Sequence, residues 1–277
     1  LKKAALWAVS LVGILMIIST VDFPSWGDFT SPASMSMAQR FIEKSYEETH
    51  TPNIVTAVLA DYRGFDTMFE TVVVFTAALA CFFIIRVRQD KCVPDTYHYR
   101  HKATGIVVHK KQLCALPVRG SAFERVDEDW APQDVVITTI CRILIPFIQI
   151  FGLYVLAHGH YSPGGGFQAG VLIAATFILL AISHDLRTLV ARLKESTTHI
   201  FSAVGVLVYF GIGVSMLFTG HHFLNYSGLA GILGMSLSSG HSLGILLVET
   251  GVAFTVAASL VTIFKLLSSK GTVTEGL

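Results

Sequence analysis

The chain has 277 residues, of which 52% are hydrophobic and 14% charged, with a formal net charge of +1. Soluble domains carry about 25% charged residues, and here the deficit is concentrated in long runs with no charge at all, which excludes a soluble globular protein and points to a membrane protein. A near-zero net charge without a basic stripe sets nucleic-acid binding aside.

A helix needs about 20 apolar residues to cross the hydrocarbon core of a bilayer, and six segments meet that need. In chain order they run from Ala4 to about Thr20, Thr67 to Ile85, Val135 to Ala157, Gln168 to Ser183, Ile200 to Phe218 and Ser242 to Phe264. The first begins with Lys2 and Lys3, as a signal peptide does. Its apolar part is long for a signal core and no small-x-small cleavage site follows, so a retained helix is expected. The predicted fold class is an all-α integral membrane protein. It comprises a two-helix hairpin, a four-helix bundle and a short re-entrant or interfacial helix.

Lys and Arg fall on one side of these spans. Lys2 and Lys3, nine more from Arg86 to Arg125, then Arg187, Arg192, Lys194, Lys265 and Lys270 lie on the side that holds both ends. The opposite side receives Arg40, Lys44 and Arg63 against seven acidic residues in the same loop. This predicts both termini in the cytoplasm of a prokaryotic inner membrane. No lysine falls within a predicted span.

The chain divides into residues 1–86 (two spans), a polar cytoplasmic linker 87–133 and residues 134–277 (four spans). Within the linker, Gly105-Ile106-Val107-Val108 has the composition of a short strand. The four cysteines, Cys81, Cys92, Cys114 and Cys141, show no CxxC spacing, so neither a metal site nor an iron–sulfur cluster is expected, and no cofactor.

Three segments carry chemistry. Thr51-Pro52 reads as a helix start, with a hydroxyl cap followed by proline, and Gly64 suits the C-terminal cap of the helix of roughly 11 residues between them. That length cannot span a bilayer. Asp61, Arg63, Asp66 and Glu70 cluster around the turn. They either solvate it and pair with one another or, in the case of Glu70, about 5 Å inside the second span, line an ion path. The second segment runs from Gly152 to Gly170. Gly164, Gly165 and Gly166 follow Pro163 and break any helix there, which at membrane depth requires protein or water to satisfy the freed amides. His158 and His160 then line a wet cavity, or the loop is a tight turn that packs on partner subunits. In the third segment Glu249 is the only charge in a span of about 23 residues, roughly 10 Å from its outer end. A carboxylate at that depth costs a few kcal/mol and faces the bundle interior, water or a partner. A desolvated carboxyl holds its proton more readily, as a relay requires; a protonated structural Glu is the alternative. Seven histidines near span ends raise the idea of a haem-binding cytochrome, but their terminal positions do not pair as axial ligands do.

The run Arg142-Ile-Leu-Ile-Pro-Phe, with Tyr154 and then Gly159-His160-Tyr161-Ser162-Pro163-Gly164-Gly165-Gly166-Phe167-Gln168-Ala169-Gly170, closely resembles the signature of the B subunit of Mrp-type (Mnh-type) sodium/proton antiporters. Asn53 to Glu70 resembles a region near the C-terminal end of the large A-type chain of those antiporters, which also occurs as a small membrane protein of membrane-bound hydrogenases. Residues 87–133 resemble nothing familiar. The resemblance implies a non-enzymatic subunit that borders a sodium or proton path. Its partners would be large antiporter-like subunits, other small Mrp-type subunits and, in some complexes, a redox or hydrogenase-like module. It adds weight to Glu70 and Glu249 as ion-path residues, with Asp61, Asp66, His158 and His160 as further candidates. Gly159, Pro163, Gly164, Gly165, Gly166, Phe167 and Gly170 form the packing motif. A purely structural scaffold is the alternative. The two modules share one chain here, which favours an energy-converting complex or an unusual antiporter.

Overall fold

A computed structural model describes residues 2–86, 95–112, 122–126, 135–162, 164–184, 186–269 and 271. The chain forms two compact units, Leu1–Glu48 and Thr49–Leu277.

In the first unit, α1 (Lys2–Ser19) runs into a 3-10 turn at Thr20–Asp22. Trp7, Val9, Leu11, Ile14 and Ile17 are all exposed, as on a helix that meets lipid or another chain. Its apolar run, Leu6–Asp22, is shorter than the other spans. Among the described residues five helices are long and apolar enough to cross a membrane, with α1 as a shorter apolar companion. A π-helical turn at Ala33–Ala38 leads into α2 (Gln39–Thr49), where Arg40 and Glu48 pair at 3.1 Å. Apolar-run reasoning passes over α2 because its sequence is mostly polar.

The second unit opens with α3 (Ile54–Thr56), continues as a π-helical turn at Ala57–Tyr62, and then forms α4 (Gly64–Ile85). The linker is not a plain polar loop. It forms a three-stranded antiparallel sheet of order β2-β1-β3, from β1 (Asp95–His101), β2 (Val107–Gln112) and β3 (Phe123–Val126). Tyr99 lies opposite Val108 on one side and Arg125 on the other. The predicted strand at 105–108 is half right: Gly105, at φ +70°, belongs to the turn, and β2 begins at Val107.

The remaining helices are α5 (Val135–Ala157), α6 (Gly166–Ser183), α7 (Leu186–Arg192), α8 (Glu195–Phe218), α9 (Ser227–Leu233) and α10 (Leu237–Ser268). α10 is the centre of the unit and packs on α4, α6, α8 and α9. Of its apolar stretch 67% is buried, against 17–39% in the other four long helices. Helices in lipid gain little from hiding apolar surface from one another and instead pack through small residues and polar contacts. The α8–α10 seam shows both. A Cβ on Gly251 would meet the Gly205 carbonyl oxygen at 2.7 Å. Ser202 and Ser259 hydroxyls lie 2.7 Å apart, and Thr255 donates to the Ser202 carbonyl at 3.0 Å.

Lys265 corrects the expectation that no span holds a lysine. α10 continues to Ser268, and Lys265, 3% exposed, donates to the Leu193 carbonyl at 2.5 Å. The bond satisfies a carbonyl that the end of α7 leaves open, which is what lets the lysine stay inside the helix. Arg86, which follows the end of α4, pairs with Glu195 at 3.0 Å.

Gly205→Val places a branched side chain against the α10 backbone, and overpacking of this kind costs about 1–3 kcal/mol. The expected result is a lower midpoint of heat-induced unfolding in detergent. Gly211→Val, at a glycine with open space around it, leaves the midpoint in place.

Candidate functional site

The site is built from a break in a helix. Asn53 caps α3: its side-chain oxygen accepts from the Val55 amide at 3.0 Å. The predicted cap, Thr51, donates instead to the Thr49 carbonyl at 3.2 Å. The helix then widens into the π-turn and ends at Arg63, whose amide reaches the Val58 carbonyl at 2.7 Å. Gly64 is the first residue of α4 and not a C-terminal cap, because the widened turn ends one residue earlier. The packing there is close, since a Cβ would come within 3.2 Å of Leu224 Cδ1.

A broken helix frees carbonyls that water cannot reach at membrane depth. Two side chains take up the freed carbonyls of Leu59 and Ala60, and a third adds a bond to the carbonyl of Gly64, the first residue of α4. Thr67 donates to the Leu59 carbonyl at 2.8 Å, Tyr226 to Ala60 at 2.9 Å and Tyr209 to Gly64 at 2.9 Å. Both tyrosines are completely buried. Burial pushes the Tyr226 hydroxyl well above its ordinary pKa, so it stays a donor.

The glycine-rich segment faces this break. Its conformation is held from outside: Asn53 Nδ2 donates to the carbonyls of Gly159, at 3.1 Å, and Ser162. Thr56 donates to Gly159 at 2.6 Å, and the Asn53 amide to His160 at 3.1 Å. At the start of α6, the Gly165 amide donates to Gln168 Oε1 at 3.1 Å. The glycines let backbone touch Glu249. A Cβ on Gly159 would fall on Glu249 Oε2, one on Gly165 on Oε1, and one on Gly166 on the Glu249 backbone carbonyl. Glu249 is thus wrapped by backbone, 8% exposed, with Oε2 lacking a hydrogen-bond partner among the described residues. The positive end of the α6 dipole lies beside the carboxyl group.

Glu249 opens on a cavity of about 250 Å³, lined also by Thr56, Glu70, Gly165, Phe167 and Tyr209. Glu70 and Glu249, far apart in the chain, therefore share one space. Glu70 stands at an exposed position of α4, on a side open to lipid or to a partner.

The other predicted residues separate. Gly164 also lines the cavity, with its missing Cβ 2.7 Å from Val155 Cγ1, and Gly170 backs onto the Ala253 carbonyl. Pro163 lies outside the described residues. Asp66 is exposed and pairs with Arg63 Nε at 2.6 Å, solvating the turn. His158 is exposed, stacked on Tyr154 at 4.2 Å. His160 is half-buried; burial first, and then the neighbouring His158, hold its pKa below the ordinary histidine value. Asp61 is outside the cavity and lies 3.2 Å from His241. Sequence reasoning missed Asn53, Tyr209, Tyr226 and His241. The tyrosines carried a signal, as polar rings in or beside apolar runs, but nothing in the sequence named the carbonyls they serve.

A protein-family model described as a domain related to the MnhB subunit of Na+/H+ antiporter matches residues 136–262, and a second, MbhE, described as the E component of MBH, matches residues 10–95. The putative antiporter subunit mnhB2 of Staphylococcus haemolyticus (strain JCSC1435) is 33% identical over 134 residues, 46% of this chain and 94% of that protein. A probable K(+)/H(+) antiporter A/B chain of Rhizobium meliloti (strain 1021) is 28% identical over 218 residues, 76% of this chain. This chain spans only 19% of the length of that relative. Two solved structures share the fold. One is a chain of the membrane-bound sulfane sulfur reductase, an archaeal respiratory membrane complex, at a TM-score of 0.58 and 23% identity, covering 96% of this chain and 97% of the other. The second is a chain of the Mrp complex from Dietzia sp. DQ12-45-1b, at 0.54 and 22%, covering 95% of this chain and 26% of the other.

Tyr226→Phe leaves the Ala60 carbonyl buried without its donor, which costs about 1–3 kcal/mol. A lowered unfolding midpoint is expected, whereas Tyr154→Phe, at an exposed ring, changes nothing. His160 binds its proton less readily folded than unfolded, so its contribution to stability is present above the ordinary value of about 6.5 and lost as pH falls through it. Unfolding midpoints measured against pH for wild type and His160→Asn should differ most on the acid side.

Proposed function

The chain belongs to the family of domains related to the MnhB subunit of Na+/H+ antiporters, and from that premise we propose that it is a membrane component of a multisubunit monovalent cation/proton antiporter, or of the antiporter-like module of an energy-converting respiratory complex. In this role it borders an ion path and performs no covalent chemistry of its own.

One observation carries this reading: Glu70 and Glu249 line the same cavity. Glu70 lies in the segment that matches the MbhE model and Glu249 in the segment that matches the MnhB-related model. A protonatable group at membrane depth is expensive and is kept where ions or protons move. Glu249, sealed by backbone on one side and open to the cavity on the other, is placed to exchange a proton with whatever the cavity admits. Glu70, on an exposed side of α4, is placed to pass charge to a neighbouring protein of the complex. Sodium is the cation we favour, from the family description, with potassium suggested by the Rhizobium relative.

The charge distribution supports a prokaryotic inner-membrane location with both termini in the cytoplasm. The partners are large antiporter-like subunits together with small subunits of the same complex. We take the domain limits as 1–86 and 134–277 around the linker; the matched segments, residues 10–95 and 136–262, overlap them, the first running on into the linker.

The glycine cradle also suits a scaffold role, and the two readings give opposite results. Glu249→Gln and Glu70→Gln, introduced into the complex purified through this chain, are expected to bring cation/proton exchange in proteoliposomes to background with every protein of the complex still present. Wild-type exchange in both variants, with Gly166→Ala dispersing the complex, would leave only the scaffold.

A further inference from the structure

A second cavity lies away from Glu70 and Glu249, between α6, α8 and α10. α6 and α8 both pack on α10 but not closely on each other. Small α10 residues, among them Ala253 and Ala257, form the floor of the space left between them. Ile173 and Phe177 of α6 make one wall and Phe201 of α8 the other. Phe201 and Phe254 meet edge-on at 5.7 Å and are both exposed, so the space opens at the surface of the bundle.

The shape and lining select what can enter. The cavity has a volume of about 190 Å³. Its floor on α10 runs from Ala253 to Val261, about 12 Å along the helix axis. A helix with its side chains is about 10–12 Å across and does not fit, whereas a single hydrocarbon chain lying along α10 does. Apart from Thr197 and Thr198 the lining side chains are apolar, and the Thr198 hydroxyl is already bonded to the Glu195 carbonyl at 2.9 Å. Burying a hydrocarbon chain here leaves no polar group without its partner on that hydroxyl's account.

Charge marks one end. Leu193 lines the cavity, and the residues on either side of it, Arg192 and Lys194, are exposed. α8 begins there with no side-chain cap, so its first amides and the positive end of its dipole add to the same field. The acid in that turn, Glu195, is paired with Arg86 at 3.0 Å, and Lys265 donates to the Leu193 carbonyl. From His184 to Thr197 the sequence carries Arg187, Arg192 and Lys194 against Asp185 and Glu195. An apolar slot with a cationic mouth at the membrane surface is the chemistry that recognises an anionic lipid headgroup and its chain. We propose that the groove between α6 and α8 holds one acyl chain of an anionic phospholipid, whose phosphate lies against Arg192, Lys194 and the first turn of α8. The lipid fills the gap that helix packing leaves. The orientation proposed above puts it in the cytoplasmic leaflet, but the site itself does not depend on the ion path.

The test uses the complex purified through this chain and reconstituted into nanodiscs with phosphatidylcholine and phosphatidylglycerol in equal amounts. Release into detergent and native mass spectrometry then count the lipids that stay bound. Wild type is expected to keep one phosphatidylglycerol per copy of the chain that Ala257→Leu, which fills the floor of the groove, has lost. Ala257→Ser, close to alanine in volume, keeps it. Arg192→Gln combined with Lys194→Gln, both at exposed positions, still binds a lipid but loses its preference for phosphatidylglycerol by roughly thirtyfold. Equal retention of the two lipids by wild type, or the same lipid count in wild type and Ala257→Leu, overturns the proposal. Loss of a protein of the complex from Ala257→Leu, with the lipid count unchanged, also overturns it and assigns the groove to a partner's side chain. Should Ala257→Leu fail to assemble, the charge variant decides, and an unchanged lipid preference there is the overturning result. Because cation/proton exchange is not the readout, wild-type exchange in Glu70→Gln and Glu249→Gln would remove the ion path and leave the lipid site standing.

Discussion

How near a polypeptide backbone can come to a buried carboxyl group governs this molecule. Glu249 sits in the most enclosed helix of the fold, where an ordinary side-chain environment would leave it surrounded by hydrocarbon. The loop at Gly159 and Gly165–Gly166 replaces that hydrocarbon with peptide groups, and only glycine allows the approach. The arrangement of α5 and α6 follows from this, since α6 can start beside Glu249 only if its cap, Gly165, and its first residue, Gly166, have no side chain. So does the role of Asn53, which secures the loop from the opposite side.

The second constraint is the account of backbone carbonyls. A short helix that stops inside the membrane region would ordinarily be too costly to keep. Here the freed carbonyls of Leu59 and Ala60 each meet a hydroxyl, the second from buried Tyr226, and buried Tyr209 bonds the Gly64 carbonyl at the start of the next helix. The broken helix and the bundle therefore depend on each other. Tyr226 has its acceptor because the helix is broken, and its hydroxyl satisfies a carbonyl that the break leaves open.

Much of this was legible in the sequence. Long uncharged runs placed α4, α5, α6, α8 and α10 within a few residues of most of their true ends, and the family signature singled out the glycines that touch Glu249. Other features were not legible, for physical reasons. α2 and the linker sheet bury too little apolar surface to leave a strong pattern. The cap at Asn53 and not Thr51 depends on a loop far away in the chain. Lys265 read as part of a cytoplasmic tail because hydropathy cannot foresee that one carbonyl, at Leu193, waits for it. The meeting of Glu70 with Glu249, and of Asp61 with His241, is tertiary, and no local rule contains it.

The cavity walls come from two segments that match separate subunit families, yet a single polypeptide carries both. Tethering turns the meeting of two proteins into an intramolecular event. The compartment around Glu70 and Glu249 is thus made in a fixed one-to-one ratio whatever the expression level, and cannot be lost by dilution in the bilayer. The two half-sites arrive together and need not find each other.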